Sequence, residues 1–144
     1  MADPVGPADA ASPEPTRGLL DTSVVVDHDL IDPAVLPDES AIAALTLAEL
    51  SAGPHATDDT EERARRQDRL QWAAATFDPL SFDADAARAY GRIFAATRQA
   101  GRSSRSRLAD LLIAATAAAN GLALYTRNAA DLSGLDGIVT VIEV

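Results

Sequence analysis

The sequence predicts an α/β fold, an α/β/α sandwich built on a central, mainly parallel sheet. Three observations carry that expectation. Short apolar runs alternate along the chain with longer helix-patterned segments, as strand–helix–strand units require. The 144 residues are 47% hydrophobic and 24% charged, which suffices for one core of domain size. The acids Asp21, Glu49, Asp110 and Asp131 stand next to the ends or beginnings of these elements, where one edge of such a sheet would gather them.

Taken in order, residues 1–17 hold four of the eight prolines and show no apolar period, so a disordered leader is expected there, with the domain over 18–144. Gly18-Leu19-Leu20 reads as a buried strand ending at Asp21, and Ser23 is placed to cap the helix that Val24-Val25-Val26 begins. Asp32-Pro33 and Leu36-Pro37 break the chain. Residues 40–45 read as a second strand, and Thr46-Leu47-Ala48-Glu49 has the spacing of a capping box opening a short helix that Gly53-Pro54 closes. Residues 59–77 set Glu and Arg ahead of Leu70, Trp72 and Phe77, an amphipathic helix with a charged outer face.

Residues 80–82 predict a brief strand. Asp83 then caps a helix of about eighteen residues with Ala87, Tyr90, Phe94 and Ala95 near one face and Gly101 at its end. Residues 108–119 are almost wholly apolar, too short to span a bilayer and long enough for a core helix that Asn120-Gly121 stops. Residues 122–126 predict a strand, 127–137 a loop or short helical turn, and 138–142 a final strand.

Composition narrows the function. No cysteine is present, which excludes disulfides, zinc-thiolate sites and a cysteine nucleophile and agrees with a reducing cytoplasm. The N-terminus carries acid and proline where a signal peptide needs a basic then an apolar run, so a cytoplasmic protein with no membrane association is expected. A net charge of -10 argues, on average, against a nucleic-acid partner. The distribution argues otherwise. Residues 18–60 contain nine acids and no arginine, whereas residues 98–109 contain four arginines and no acid.

Each acid alone has a structural reading. Glu49 completes a capping box, Asp131 caps a turn, and Asp21 fits an Asx-turn. Asp110 fits such a reading less well, because an acid in the first turn before Leu111-Leu112-Ile113 faces the core edge and needs a partner. Converging carboxylates repel one another and raise each other's pKa unless protons or cations neutralise them. Hard oxygen donors without His or Cys point to Mg²⁺, with Mn²⁺ as the alternative. Such sites hydrolyse phosphodiesters. Arg98, Arg102, Arg105 and Arg107 run straight into Asp110, as phosphate contacts or as a solvated loop. His28 and His55 have no matching partner motif and read as ordinary residues.

Leu19-Leu20-Asp21-Thr22-Ser23, Thr46-Leu47-Ala48-Glu49-Leu50, Asp110-Leu111-Leu112-Ile113-Ala114-Ala115 and Thr126-Arg127-Asn128-Ala129-Ala130-Asp131 resemble, in order and spacing, the PIN domain of VapC-type toxins. The likeness covers residues 18–144. It implies a PIN-like sandwich and a Mg²⁺-dependent endoribonuclease that cuts structured or translation-related RNA such as tRNA or rRNA. It also implies inhibition by a cognate VapB-like antitoxin and a homodimer or toxin–antitoxin hetero-oligomer. By position, Asp21, Glu49, Asp110 and Asp131 match the family's catalytic and metal-binding acids. Ser23 matches its small hydroxyl residue, Asn128 a polar position near the metal, and Arg102, Arg105 and Arg107 would meet RNA phosphates. The family's antitoxin lays a C-terminal segment in a groove and pushes an arginine toward the carboxylates. Two departures stand out: Leu132 replaces the usual aromatic after the last acid, and residues 102–107 replace a short apolar lead-in.

Two other classes use the same residues differently. One is another metal-dependent phosphodiesterase, such as a phosphatase or DNA nuclease. The other is a non-catalytic partner-binding module in which the acids only cap helices. The apolar surfaces of residues 24–30 and 84–100 are available to a dimer or to an antitoxin.

Overall fold

Alternation of apolar residues along β1 (Arg17–Leu20) decides the architecture. Leu19 packs with Ala89, Ile93, Leu111 and Ile113, whereas Leu20 packs with Val24, Val25, Ala73 and Phe77. Successive strand side chains point to opposite faces, so both faces of this sheet are covered. Ala43 and Ile42 divide the same way, as do Leu124 and Tyr125. The structure, a computed structural model, describes residues 14–103 and 107–144.

Its sheet adds β2 (Glu39–Ala43), β3 (Pro79–Leu80), β4 (Ala123–Thr126) and β5 (Val141–Glu143). The order is β3-β2-β1-β4-β5, with every neighbouring pair parallel. The chain builds outward from β1 through β2 to β3, then returns to lay β4 on the other side of β1. That reversal makes the ends of β1 and β4 the switch point at which α/β sheets open a crevice. Among the described residues, five α-helices flank the sheet: α1 (Thr22–Val26), α2 (Ala44–Ala52), α3 (Thr60–Thr76), α4 (Ala84–Gln99) and α5 (Leu108–Ala119). Gly18 is required inside β1, because a Cβ there would collide with the Tyr125 ring.

Capping follows side-chain chemistry. Asp59 accepts from the N–H groups of Glu61 and Glu62 to start α3, and Asp83 accepts from Ala86 N–H to start α4. Gly101, at φ +74°, ends α4. Its N–H donates to the Arg98 carbonyl and that of Arg102 to the Thr97 carbonyl, the paired bonds of a Schellman motif.

Several sequence expectations are corrected. The ordered fold begins before residue 18: Arg17 pairs with Glu39 in the sheet, and Thr16 donates both its N–H and its hydroxyl to Asp38. Residues 1–13 of the expected leader lie outside the described residues. Asp21, not Ser23, caps α1. The capping box does not form. α2 starts earlier than the box requires, at Ala44 with Ala43 in the cap position and no side-chain acceptor there, and Thr46 and Glu49, now inside the helix, bond to Thr22. On α4 the buried face is Ala86, Ala89, Ile93 and Thr97, while Ala87, Phe94 and Ala95 are exposed and Tyr90 is half-buried. Small residues line that face because α4 packs against the alanine-rich α5, and the larger Phe94 is left outside. β3 lies one or two residues earlier than expected. β5 starts only at Val141, because the Ile138 and Val139 N–H groups turn back to the Leu135 carbonyl.

Candidate active site

The parallel register sets Leu20 of β1 beside Tyr125 of β4, so the next residues, Asp21 and Thr126, leave the sheet side by side. Asp21 is 5% exposed. Its N–H donates to the Tyr125 carbonyl at 2.8 Å, and its own carbonyl accepts from Val24 as α1 begins. Oδ2 accepts from Ser23 Oγ at 2.6 Å and Thr126 Oγ1 at 3.1 Å, with a longer bond from Ser23 N–H. Oδ1 is buried with no hydrogen-bond partner among the described residues. A buried carboxylate oxygen without a donor is costly, which marks it as a place for a cation or ligand.

Ser23 and Thr126 also shape the neighbouring loop. Ser23 Oγ accepts from Arg127 N–H, and Thr126 Oγ1 accepts from Asn128 N–H, which fixes how the chain leaves β4. Asn128 is exposed and takes part through its backbone, its carbonyl receiving the Asp131 N–H. Arg127 reaches back to Asp27 at 3.5 Å.

Glu49 projects from α2 and is exposed, and its Oε1 accepts the Thr22 hydroxyl at 2.6 Å. Thr22 Oγ1 in turn lies 2.9 Å from Oγ1 of the buried Thr46. Asp110 occupies the first turn of α5 and is partly buried. Burial first, then the charges of Asp21, Glu49 and Asp131, push its carboxyl from 3.8 up to about 6, while Arg107 pulls the other way. Asp131 sits on the short 3-10 turn Ala129–Leu132, half-exposed, where Arg107 donates to its carbonyl at 2.7 Å and pairs with Oδ1 at 3.5 Å.

All four predicted acids therefore meet at one edge as interacting charges. Among the described residues, however, no three acidic or histidine side chains stand arranged to hold a metal ion. Among the described residues, Arg107 is the one cation that lowers the Asp110 carboxyl against these charges. The unpartnered Asp21 Oδ1, the elevated Asp110 and the all-oxygen donor set are what a hard divalent cation would satisfy, so the residues present fit one in chemistry.

The predicted arginines separate. Arg107 is engaged by Asp131 rather than free for phosphate. Arg102 is half-buried just beyond α4, and Arg105 lies outside the described residues. Sequence reasoning missed Thr22, Thr46 and Thr126. Thr126 had a signal: it ends the strand that must pair with β1. Thr22 had one in standing next to Asp21. A cavity of about 290 Å³ lined by Thr22, Glu49, Val26 and Arg69 opens beside Glu49, and a second of about 370 Å³ shares Val26 and Arg69 and reaches His28 and Trp72.

Residues 18–136 match the family model of the PIN domain. The chain belongs to the PIN domain family. This PIN domain is 38% identical over 133 residues to the ribonuclease VapC5 of Mycobacterium tuberculosis, spanning 90% of this chain and 96% of that relative. It is 37% identical over 101 residues to the ribonuclease VapC8 of the same species, spanning 69% of this chain and 89% of VapC8. Its fold superposes with a TM-score of 0.78 on the crystal structure of VapBC-5, a member of the VapBC family of toxin–antitoxin systems from Mycobacterium tuberculosis. That match has 38% identity and covers 90% of this chain and 98% of the other. The PIN domain thus has the expected sandwich, with a sheet that is parallel throughout. No helix among its described residues is long and apolar enough to cross a membrane.

Proposed function

We propose that this PIN domain is the ribonuclease toxin of a VapBC-type toxin–antitoxin pair, a divalent-metal-dependent endoribonuclease that hydrolyses RNA phosphodiester bonds. The observation that carries the reading is the convergence of Asp21, Glu49 and Asp131 on Asp110 at the carboxyl ends of β1 and β4, with one buried Asp21 oxygen left open. The ribonuclease relatives support the choice of substrate class. Asp21, Glu49, Asp110 and Asp131 are the residues that would hold Mg²⁺ or Mn²⁺. When bound, that ion supplies Lewis-acid polarisation of the phosphoryl oxygen and acidifies the attacking water.

The chain's own contribution is placement. Ser23 and Thr126 occupy Oδ2 of Asp21 and leave its buried Oδ1 without a donor among the described residues. Arg107 anchors the Asp131 turn over the start of α5. The sequence assigns Asn128 a place near the metal, and Arg102 and Arg105 contacts to the RNA backbone. The partner is a VapB-like antitoxin, whose segment would follow the cavities along α1 toward Glu49 and bring a cation to carboxylates that lack one.

The test is digestion of total cellular RNA by the purified chain, freed of antitoxin, with Mg²⁺, with EDTA and as Asp110→Asn, followed by mapping of new ends. Discrete fragments that need both metal and Asp110 are expected. Absence of cleavage in Mg²⁺ and in Mn²⁺ would overturn the reading.

A further inference from the structure

Two hydroxyl residues at the β1–α1 corner serve two acids. Ser23 donates to Asp21, one residue short of the helix, while Thr22 turns to the other side and donates to Glu49 on α2. We infer that Thr22, backed by the buried Thr46, is a positioning residue that sets the Glu49 carboxylate toward the other acids. The inference rests on the metal-dependent ribonuclease reading and adds to it a hydroxyl chain that runs from the core to the site.

Proton counting fixes the direction of the chain. A threonine hydroxyl has one proton and two lone pairs. The Thr22 proton lies between Oγ1 and Glu49 Oε1, 2.6 Å apart, a length expected for an O–H donor on a carboxylate. Its contact with Thr46 at 2.9 Å must therefore be one in which Thr46 donates and Thr22 accepts. Thr46 is fully buried, and its hydroxyl needs such an acceptor. Thr22 cannot rotate away without stranding Thr46, so the buried residue fixes the rotor of the one at the site.

Glu49 is the acid that needs this most. Asp21 is short, buried and held by three donors, whereas Glu49 has a longer, exposed side chain on the helix surface. Without Thr22 its carboxylate would sample many rotamers. One hydrogen bond from the residue adjoining Asp21 ties the two acids to the same helix start. Thr46 and Glu49 both lie inside α2, whose cap position is Ala43, and both turn their side chains toward α1.

The experiment compares Thr22→Val, Thr22→Ser and Thr46→Val in the full chain. Thermal unfolding establishes folding, Mn²⁺ binding is measured by calorimetry without RNA, and kcat and KM are measured on a cleaved RNA. Thr22→Val is expected to weaken Mn²⁺ binding and lower kcat by about 10- to 100-fold with KM for RNA unchanged, as loss of an orienting partner does. Thr22→Ser keeps the hydroxyl and should restore both to within a few-fold of the starting chain. Thr46→Val should fall between them. If Thr22→Val fails to fold, Thr22→Ala gives the same comparison with space for water beside Thr46. A folded Thr22→Val or Thr22→Ala that binds Mn²⁺ and cleaves like the starting chain overturns the inference alone. So does a Thr22→Ser as deficient as Thr22→Val, because packing and not the hydroxyl would then matter. A starting chain that neither binds Mn²⁺ nor cleaves RNA overturns the ribonuclease reading and this inference together.

Discussion

The two halves of the acid site are held by different forces. Asp21 and Glu49, on the β1–α1–α2 side, are held by neutral hydroxyls from Ser23, Thr126 and Thr22, whose donors lie on regular elements and of which Ser23 and Thr22 bond at 2.6 Å. Asp110 and Asp131, on the α5 and 3-10 turn side, meet charge: burial and three acids raise Asp110, and Arg107 tethers Asp131. The first half is pre-organised whatever the ion content of the solution. The second is balanced electrostatically, and an arriving cation or arginine changes it most.

Removal of Asp21 should have the largest effect, because it breaks the fixed half. Asp21→Asn keeps the shape and the α1 cap but replaces one carboxylate oxygen with an amide that cannot serve both Ser23 and a cation. Loss of cleavage by at least about 100-fold is expected, with folding retained in circular dichroism. Activity within ten-fold of the starting chain would place the chemistry elsewhere.

Next in size is the response to metal. An ion that binds only the folded chain stabilises it by about 2.7 kcal/mol at a hundred times its dissociation constant. Mg²⁺ or Mn²⁺ should therefore raise the melting temperature by several degrees, while Asp110→Asn should blunt the rise. A flat titration would favour a partner-binding module.

Asp110 also links this half to pH. Below 3.8 its carboxyl is protonated whether the chain is folded or not. Between 3.8 and about 6 the folded chain retains a proton that the unfolded chain has released, so this group's contribution falls as pH rises, and above about 6 the loss is complete. Solvent screening of the half-buried group reduces the full shift to about 1–2 kcal/mol. Metal-free Asp110→Asn should accordingly melt higher than the starting chain at pH 7 and equally at pH 3.5. A variant less stable at pH 7 would show that the charge was compensated.

The same division governs what the sequence made legible. Strand–helix alternation anticipated the strands, with β3 and β5 displaced by one to three residues, and the four acids could be assigned to one edge because β1 and β4 end where Leu20-Asp21 and Tyr125-Thr126 turn polar. Local rules failed where a tertiary bond competed with them. Thr46 and Glu49 have capping-box spacing, yet both face Thr22, a residue 24 to 27 positions away that no local window contains. On α4 the larger Phe94 looked like core, but close packing against the alanines of α5 selected Ala86 and Ala89. Arg107 reads as a phosphate contact from its basic neighbours, and to that the fold adds Asp131 beside it.

Arg107 gives the smallest predicted effect and the sharpest contrast between the halves. Its guanidinium is about a quarter exposed and Asp131 about half, at 27% and 51%, so their attraction is screened by water and salt. Arg107→Gln should cost about 0.2–1 kcal/mol at low salt, measured by urea unfolding, with the difference shrinking toward 1 M salt. Ser23→Ala, which removes a neutral donor from a buried carboxylate, should cost about 1–3 kcal/mol with little change over the same salt range. Parallel salt dependence in the two variants would mean that both halves are held by charge. If instead only Arg107→Gln responds, the site consists of a fixed pair of acids and a pair whose balance the surrounding ions set.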